Sequence, residues 1–142
     1  MTVGEYLDSW LKDSMRGSVR QSTLDRYEIA VRVHIKPALG RLKLRKLTPA
    51  RLAGFYQDRL AAGLAPASVN KLHVTLHKAL DQAAHWRMVP RNVAEAVKAP
   101  RPAPPEMQTL SAAQTRKLLE AAQGERLEAL YVLAVQTGMR LG

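Results

Sequence analysis

Residues 66–87, PASVNKLHVTLHKALDQAAHWR, decide the fold class. Their apolar members Val69, Leu72, Leu76, Ala79, Leu80 and Ala83 recur at three- and four-residue steps, the repeat of one helix face. Pro66 stands where a helix begins, since a first-turn N–H has no intrahelical partner to lose. The stretch therefore predicts a helix from Pro66 to near Arg87 with one face turned to a core.

The same period extends toward the N-terminus. Thr48-Pro49 is a cap followed by proline, and Leu52, Phe55, Tyr56 and Leu60 form the stripe of a third helix ended by Gly63. Leu24, Tyr27, Val31 and Ile35 mark a second helix, expected to stop at Pro37. Thr2 and Glu5 make a T-x-x-E capping box for a first helix over about residues 3–14, with Val3, Tyr6, Leu7, Trp10 and Leu11 as its stripe. Between helices two and three, Ala38–Leu47 reads as a basic connector holding a short turn or an extended pair, and a helical turn over Val93–Val97 follows helix four. No run alternates with period two. The expected fold is all-α, with four helices around one small core. Tyr6, Trp10, Tyr27, Phe55, Tyr56 and Trp86 are expected in that core.

Toward the C-terminus the composition changes. Pro100, Pro102, Pro104 and Pro105 fall within six residues, so Lys98–Gln108 is expected to be a stiff, polyproline-like linker. The expected domains are then 1–97 and 109–142, with the linker at 98–108. In the second, Leu110-Ser111 and Gln114 form an S-x-x-Q capping box for a helix to about Gln123. Leu127 to Val135 is apolar nearly all round, the mark of a helix from the middle of a domain. Two helices in 109–142 cannot cover such a face, so this part reads as the start of a domain that has been cut off.

Charge narrows the partner. The 142 residues hold 22 Lys and Arg against 12 Asp and Glu, a net +10. Residues 1–97 carry 16 of the basic and 8 of the acidic side chains, so most of the excess lies there. Such a segment points to a polyanion, most simply nucleic acid. Aromatic residues at 5% argue against a surface of stacking platforms for single strands. No stretch nears the roughly 20 apolar residues of a membrane span, and Met1–Trp10 lacks a secretion signal. The absence of cysteine excludes disulfides, thiolate zinc sites and cysteine nucleophiles, and fits a cytoplasmic location.

Candidate contacts lie on helices two and four. Thr23 and Arg26 sit opposite the stripe of helix two; Asn70, His73 and His77 share one flank of helix four, and Lys71 and Lys78 another. Asn can pair with adenine, Arg with guanine, and Lys mainly with phosphate. His73 and His77 have the spacing of a helical metal pair, but there is no adjacent Glu and no third ligand, so no metal is expected. No phosphate-cradling glycine loop or acid–base pair marks a metabolic enzyme, and no cofactor is implied.

Several phrases, in order, carry a resemblance: Thr2–Leu11 (TVGEYLDSWL), Val19–Tyr27 (VRQSTLDRY), His34–Gly40 (HIKPALG), Leu47-Thr-Pro49, Ala65–Asn70 (APASVN), Leu110-Ser111 and Thr137–Gly142 (TGMRLG). Through them the chain resembles the phage-type integrases of the tyrosine recombinase family along essentially its whole length. The resemblance implies that residues 1–97 are a four-helix, SAM-like core-binding domain that clamps one face of duplex DNA, and that 109–142 begin the catalytic domain. That family cleaves one strand with a tyrosine, forms a 3′-phosphotyrosyl link and rejoins strands without ATP or an obligatory metal. By the same resemblance Arg140 matches the first of two arginines that hold the scissile phosphate. Ser22, Thr23 and Arg26, then Ser68, Asn70 and His73 with Lys71 beside them, match DNA-facing positions. The family's catalytic lysine, His-x-x-Arg and nucleophilic tyrosine have no match in the chain, and Tyr6, Tyr27, Tyr56 and Tyr131 do not stand where the nucleophile belongs. The chain alone is thus expected to bind a recombination core site without cutting it. Two alternatives stand beside this reading. One is an active recombinase of which this sequence is only part; the other is an interaction module that self-associates, or joins a full-length integrase, through Leu127–Val135.

Overall fold

Thr2 opens the first helix as the sequence predicts. Its hydroxyl accepts from the Glu5 N–H at 3.2 Å, and the Glu5 carboxylate accepts from the Thr2 N–H at 2.7 Å. The computed structural model describes residues 1–142 apart from Pro102, Pro105, Met107 and residues 139–142. Two compact units emerge, Met1–Ala103 and Pro104–Gly142. Among the described residues the fold is all-α, with one isolated antiparallel bridge between Thr2 and Lys43.

In the first unit, α1 (Val3–Ser9) runs directly into a π-helical segment, Trp10–Met15. Helix α2 (Gln21–Ile29) likewise continues as a π-helical segment, Ala30–Ile35, and then as α3 (Lys36–Leu39). The helix does not stop at Pro37. The wide turn before it bonds i→i−5, with the Lys36 N–H on the Val31 carbonyl, in place of the i→i−4 ladder that proline would break, and Pro37 falls at the start of α3. A 3₁₀ turn (Leu44–Lys46) leads to α4 (Pro49–Ala61), capped by Thr48, and α5 (Pro66–His85) follows. A second 3₁₀ turn (Val93–Ala96) is capped by Asn92.

The connector after α3 satisfies the free donors of α1. Val3 N–H donates to the Leu42 carbonyl at 2.8 Å, and Gly4 N–H to the Gly40 carbonyl at 3.0 Å. Both glycines have little room for a side chain, Gly4 against the connector and Gly40 against its own preceding turn. A Cβ on Gly4 would lie 3.1 Å from the Gly40 carbonyl oxygen, and one on Gly40 would lie 2.5 Å from that of Lys36.

All six stripe residues of α5 are buried, together with Val3, Tyr6, Leu7, Trp10, Val31, Ile35, Leu52, Phe55 and Tyr56. The Tyr6 hydroxyl donates to the Ala79 carbonyl, tying α1 to the middle of α5. Asn92 is buried with both ends of its amide used: Oδ1 accepts from Ala94 N–H and Nδ2 donates to the His77 carbonyl, each at 3.0 Å. Trp86 departs from expectation. It caps the C-terminus of α5, beyond the last stripe position, and is 47% exposed. Tyr27 is half-buried, its ring 5.5 Å from that of Trp10 and 5.6 Å from the Lys78 ammonium.

In the second unit, α6 (Ala112–Ala121) starts on the expected capping box, with the Gln114 N–H donating to Ser111 Oγ at 3.3 Å and the Ser111 N–H to Gln114 Oε1 at 2.8 Å. Helix α7 (Glu128–Thr137) ends on Gly138 in the left-handed region, φ +64°. Leu127, Leu130, Tyr131, Leu133 and Val135 are exposed.

Two outcomes follow for stability. Gly40→Ala should lower the unfolding free energy by about 1–3 kcal/mol through overpacking. Gly54→Ala, in α4 with open space at its Cβ, should raise it by about 0.5–1 kcal/mol; urea denaturation checks both. Burial pushes the Tyr6 phenol up from 10.0 to about 12, and raises Tyr56 as well. Both folded values exceed the unfolded one, so this stabilisation is complete below pH 10 and is lost as pH rises toward 12. The urea midpoint should fall across that window, and less steeply in a Tyr6→Phe, Tyr56→Phe double variant.

Candidate nucleic-acid interface

Core packing of α2 and α5 leaves a groove of about 400 Å³ between their outer faces. Thr23 and Arg26 line it from α2, and Ser68 and Lys71 from α5. Four of the sequence-predicted contacts thus come together across two helices that are distant in sequence. Ser22 is exposed one residue before Thr23, outside the groove lining.

Arg26 is held along its own helix. Its Nε donates to the Ser22 carbonyl at 3.1 Å and one terminal nitrogen to Thr23 Oγ1 at 3.4 Å, with further guanidinium donors to spare. Thr75 donates from Oγ1 to the Lys71 carbonyl at 2.9 Å, and Lys71 itself is exposed. Lys71, Arg26 and His34 line the groove, and no carboxylate does. Among the described residues one ion pair forms, Lys36 to Asp8 at 2.7 Å, so the positive charge of residues 1–97 is little neutralised by pairing.

Asn70 and His73 are not among the residues lining that groove. Asn70 Nδ2 donates to the Pro100 carbonyl at 3.2 Å, fastening the residues that follow the second 3₁₀ turn onto α5. His73 Nδ1 is 3.1 Å from the Tyr56 hydroxyl, and its ring packs edge-on to Tyr56. Burial, and secondarily the charge of His77, hold the His73 imidazole below its usual range. Both effects favour the neutral imidazole over the charged form. Arg140 lies outside the described residues.

Ile29 and Val74 also line the groove, each 51% exposed. The stripe reading missed them, although a signal was present: Ile29 and Val33 are apolar off the Leu24, Tyr27, Val31, Ile35 face.

The model of the "Phage integrase, N-terminal SAM-like domain" family matches residues 2–60. An integrase from Saccharopolyspora erythraea is 29% identical over 99% of this chain and 33% of its own length. The solution structure of a phage integrase SAM-like domain from Moorella thermoacetica is 38% identical, with a TM-score of 0.63 over 77% of this chain and 93% of that one. A crystal structure of a lambda integrase dimer bound to a COC′ core site is 25% identical, with a TM-score of 0.83 over 99% of this chain and 51% of that one. The chain spans 33–38% of the length of the curated relatives it matches. Sequence identity and shared fold agree: the chain belongs to the phage integrase family of tyrosine recombinases, through the SAM-like domain that characterises it.

Proposed function

We propose that the chain is the duplex-binding part of a site-specific recombinase. Residues 1–97 act as its core-binding domain, 98–108 as a linker, and 109–142 as the first part of a catalytic domain. The observation that carries this reading is the carboxylate-free groove that gathers Thr23, Arg26, Ser68 and Lys71 from α2 and α5. The lambda integrase structure, similar over 99% of this chain, is of a protein bound to a core site and supports the same partner.

Lys71 contacts phosphate as a mobile point charge, and Arg26 presents a planar fork to phosphate or to guanine. The hydroxyls of Ser22, Thr23 and Ser68 supply short hydrogen bonds that fix register. Asn70 and His73 position α5 from its other flank, and either would have to leave its present partner to reach DNA. Arg140 takes the place of the first phosphate-holding arginine, where a cation with several donors stabilises charge developing on phosphate oxygens. Strand transfer itself belongs to the complete recombinase. Tyr6 and Tyr56, both buried, are unsuited to be its nucleophile.

Titration of a labelled duplex at two salt concentrations tests the reading. Affinity should fall steeply with salt. Arg26→Ala and Lys71→Ala should each weaken binding several-fold and flatten the salt slope by about 1. Leu76→Ala should instead lower stability by about 2–5 kcal/mol, because Leu76 is wholly buried in the stripe. Unchanged affinity in both charge variants would place the duplex elsewhere.

A second reading is favoured by the exposed side chains of α7. Leu130, Tyr131, Leu133 and Val135 are exposed apolar side chains on one ten-residue helix, and exposed apolar surface often marks association sites. Size-exclusion chromatography should show a concentration-dependent dimer that Leu133→Glu abolishes; a monomer at every concentration rejects it.

A further inference from the structure

The groove between α2 and α5 is not uniformly polar. Ile29 stands on one wall and Val74 on the other, half-exposed, with Arg26 and Lys71 beside them. Exposed single apolar residues are ordinary on a protein surface. Two of them facing one cationic groove from separate helices are a different matter, because a phosphate track alone has no use for them. Phosphates and sugars are met by cations, hydroxyls and backbone N–H groups. Apolar side chains there would only displace water that the phosphates need.

In the major groove of B-DNA the base edges present one apolar group, the 5-methyl of thymine. The lining contains no carboxylate to accept from a cytosine amine, and its hydroxyls, on Thr23, Tyr27, Ser68 and Thr75, discriminate weakly between bases. Charge complementarity selects a polyanion, and the paired apolar walls select the part of it that is not charged. On each helix the cation and the apolar residue are three positions apart, Arg26 before Ile29 and Lys71 before Val74, so a face that meets phosphate also presents an apolar group beside it.

We propose that Ile29 and Val74 are sequence-specificity residues, forming an apolar slot that reads thymine methyl groups in the major groove. This rests on the duplex-binding reading above and deepens it: Arg26 and Lys71 supply most of the affinity, and Ile29 and Val74 add a choice for thymine.

The test uses the full 142-residue chain and a pool of duplexes with a randomised central segment, selected for binding. Replacing thymidine by deoxyuridine in a selected duplex removes only the methyl group. Affinity should fall about three- to tenfold when the thymidines at one or two adjacent selected positions are replaced, and should not change at flanking ones. Ile29→Ala and Val74→Ala, at half-exposed sites and checked for an unchanged melting temperature, should bind the thymidine duplex no better than its deoxyuridine counterpart. The salt slope of both variants should match that of the parent chain. Equal affinity of the parent chain for both duplexes overturns the inference while leaving the duplex reading intact. Discrimination that survives both substitutions overturns it too. Absence of any duplex binding removes the underlying reading and the inference together.

Discussion

The burial of one face of α5 governs the first unit. Val69, Leu72, Leu76, Ala79, Leu80 and Ala83 are all withdrawn from water, and each such side chain favours the folded state by roughly 1–3 kcal/mol according to its size. Burial of the stripe also fixes the rotation of the helix about its axis. Successive residues are about 100° apart, so once Leu72 and Leu76 point inward every other position is assigned. Ser68, Lys71 and Val74 fall on the flank beside α2, while Asn70 and His73 reach Pro100 and Tyr56. The candidate interface is a consequence of core packing: the polar surface of α5 is divided by the orientation that the apolar face requires.

That division explains what could be read from the chain. Helix starts were legible because caps are local chemistry; Thr2 with Glu5, Thr48, and Ser111 with Gln114 each satisfy donors within a few residues. The stripes were legible because burial repeats with helix period. The partners of polar flanks were not. Nothing local to Asn70 indicates that a carbonyl thirty residues later will take its amide, and nothing beside His73 announces the Tyr56 hydroxyl. Trp86 was misplaced because hydrophobicity alone does not say where a stripe ends. Pro37 was misread for a related reason. Its usual effect on a helix is local, but here a wide turn formed by the preceding six residues absorbs it.

The two π-helical segments bear on the site as well as on the fold. A π turn carries extra residues in one revolution, so it alters which side chains a helix presents beyond it; such turns recur near functional sites. Ala30–Ile35 buries Ala30, Val31 and Ile35 while leaving Val33 half-exposed and His34 at the groove. Of the outward-facing apolar residues of this helix, Ile29 immediately precedes the wide turn and Val33 lies within it. A regular amphipathic helix would have gathered its apolar residues on one face. Here Ile29, the last residue before the wide turn, lies on the side of the cationic rim, whereas Val33 within the turn does not line the groove.

Charge and apolar surface then divide recognition by distance. The excess of basic over acidic residues in 1–97 acts over roughly a Debye length, about 8 Å at physiological ionic strength, and raises the local concentration of any polyanion. It cannot tell one base sequence from another, since every duplex carries the same phosphates. Ile29 and Val74 act only at contact, where a methyl group is either present or absent. Strengthening the first contribution would tighten binding to all DNA alike and leave selectivity unchanged. Strengthening the second alone would give selectivity to a complex too weak to form. A groove that holds both on opposing helices, oriented by a single buried stripe, keeps their geometry fixed relative to each other, so an encounter driven by charge delivers the base edge to the residues that test it.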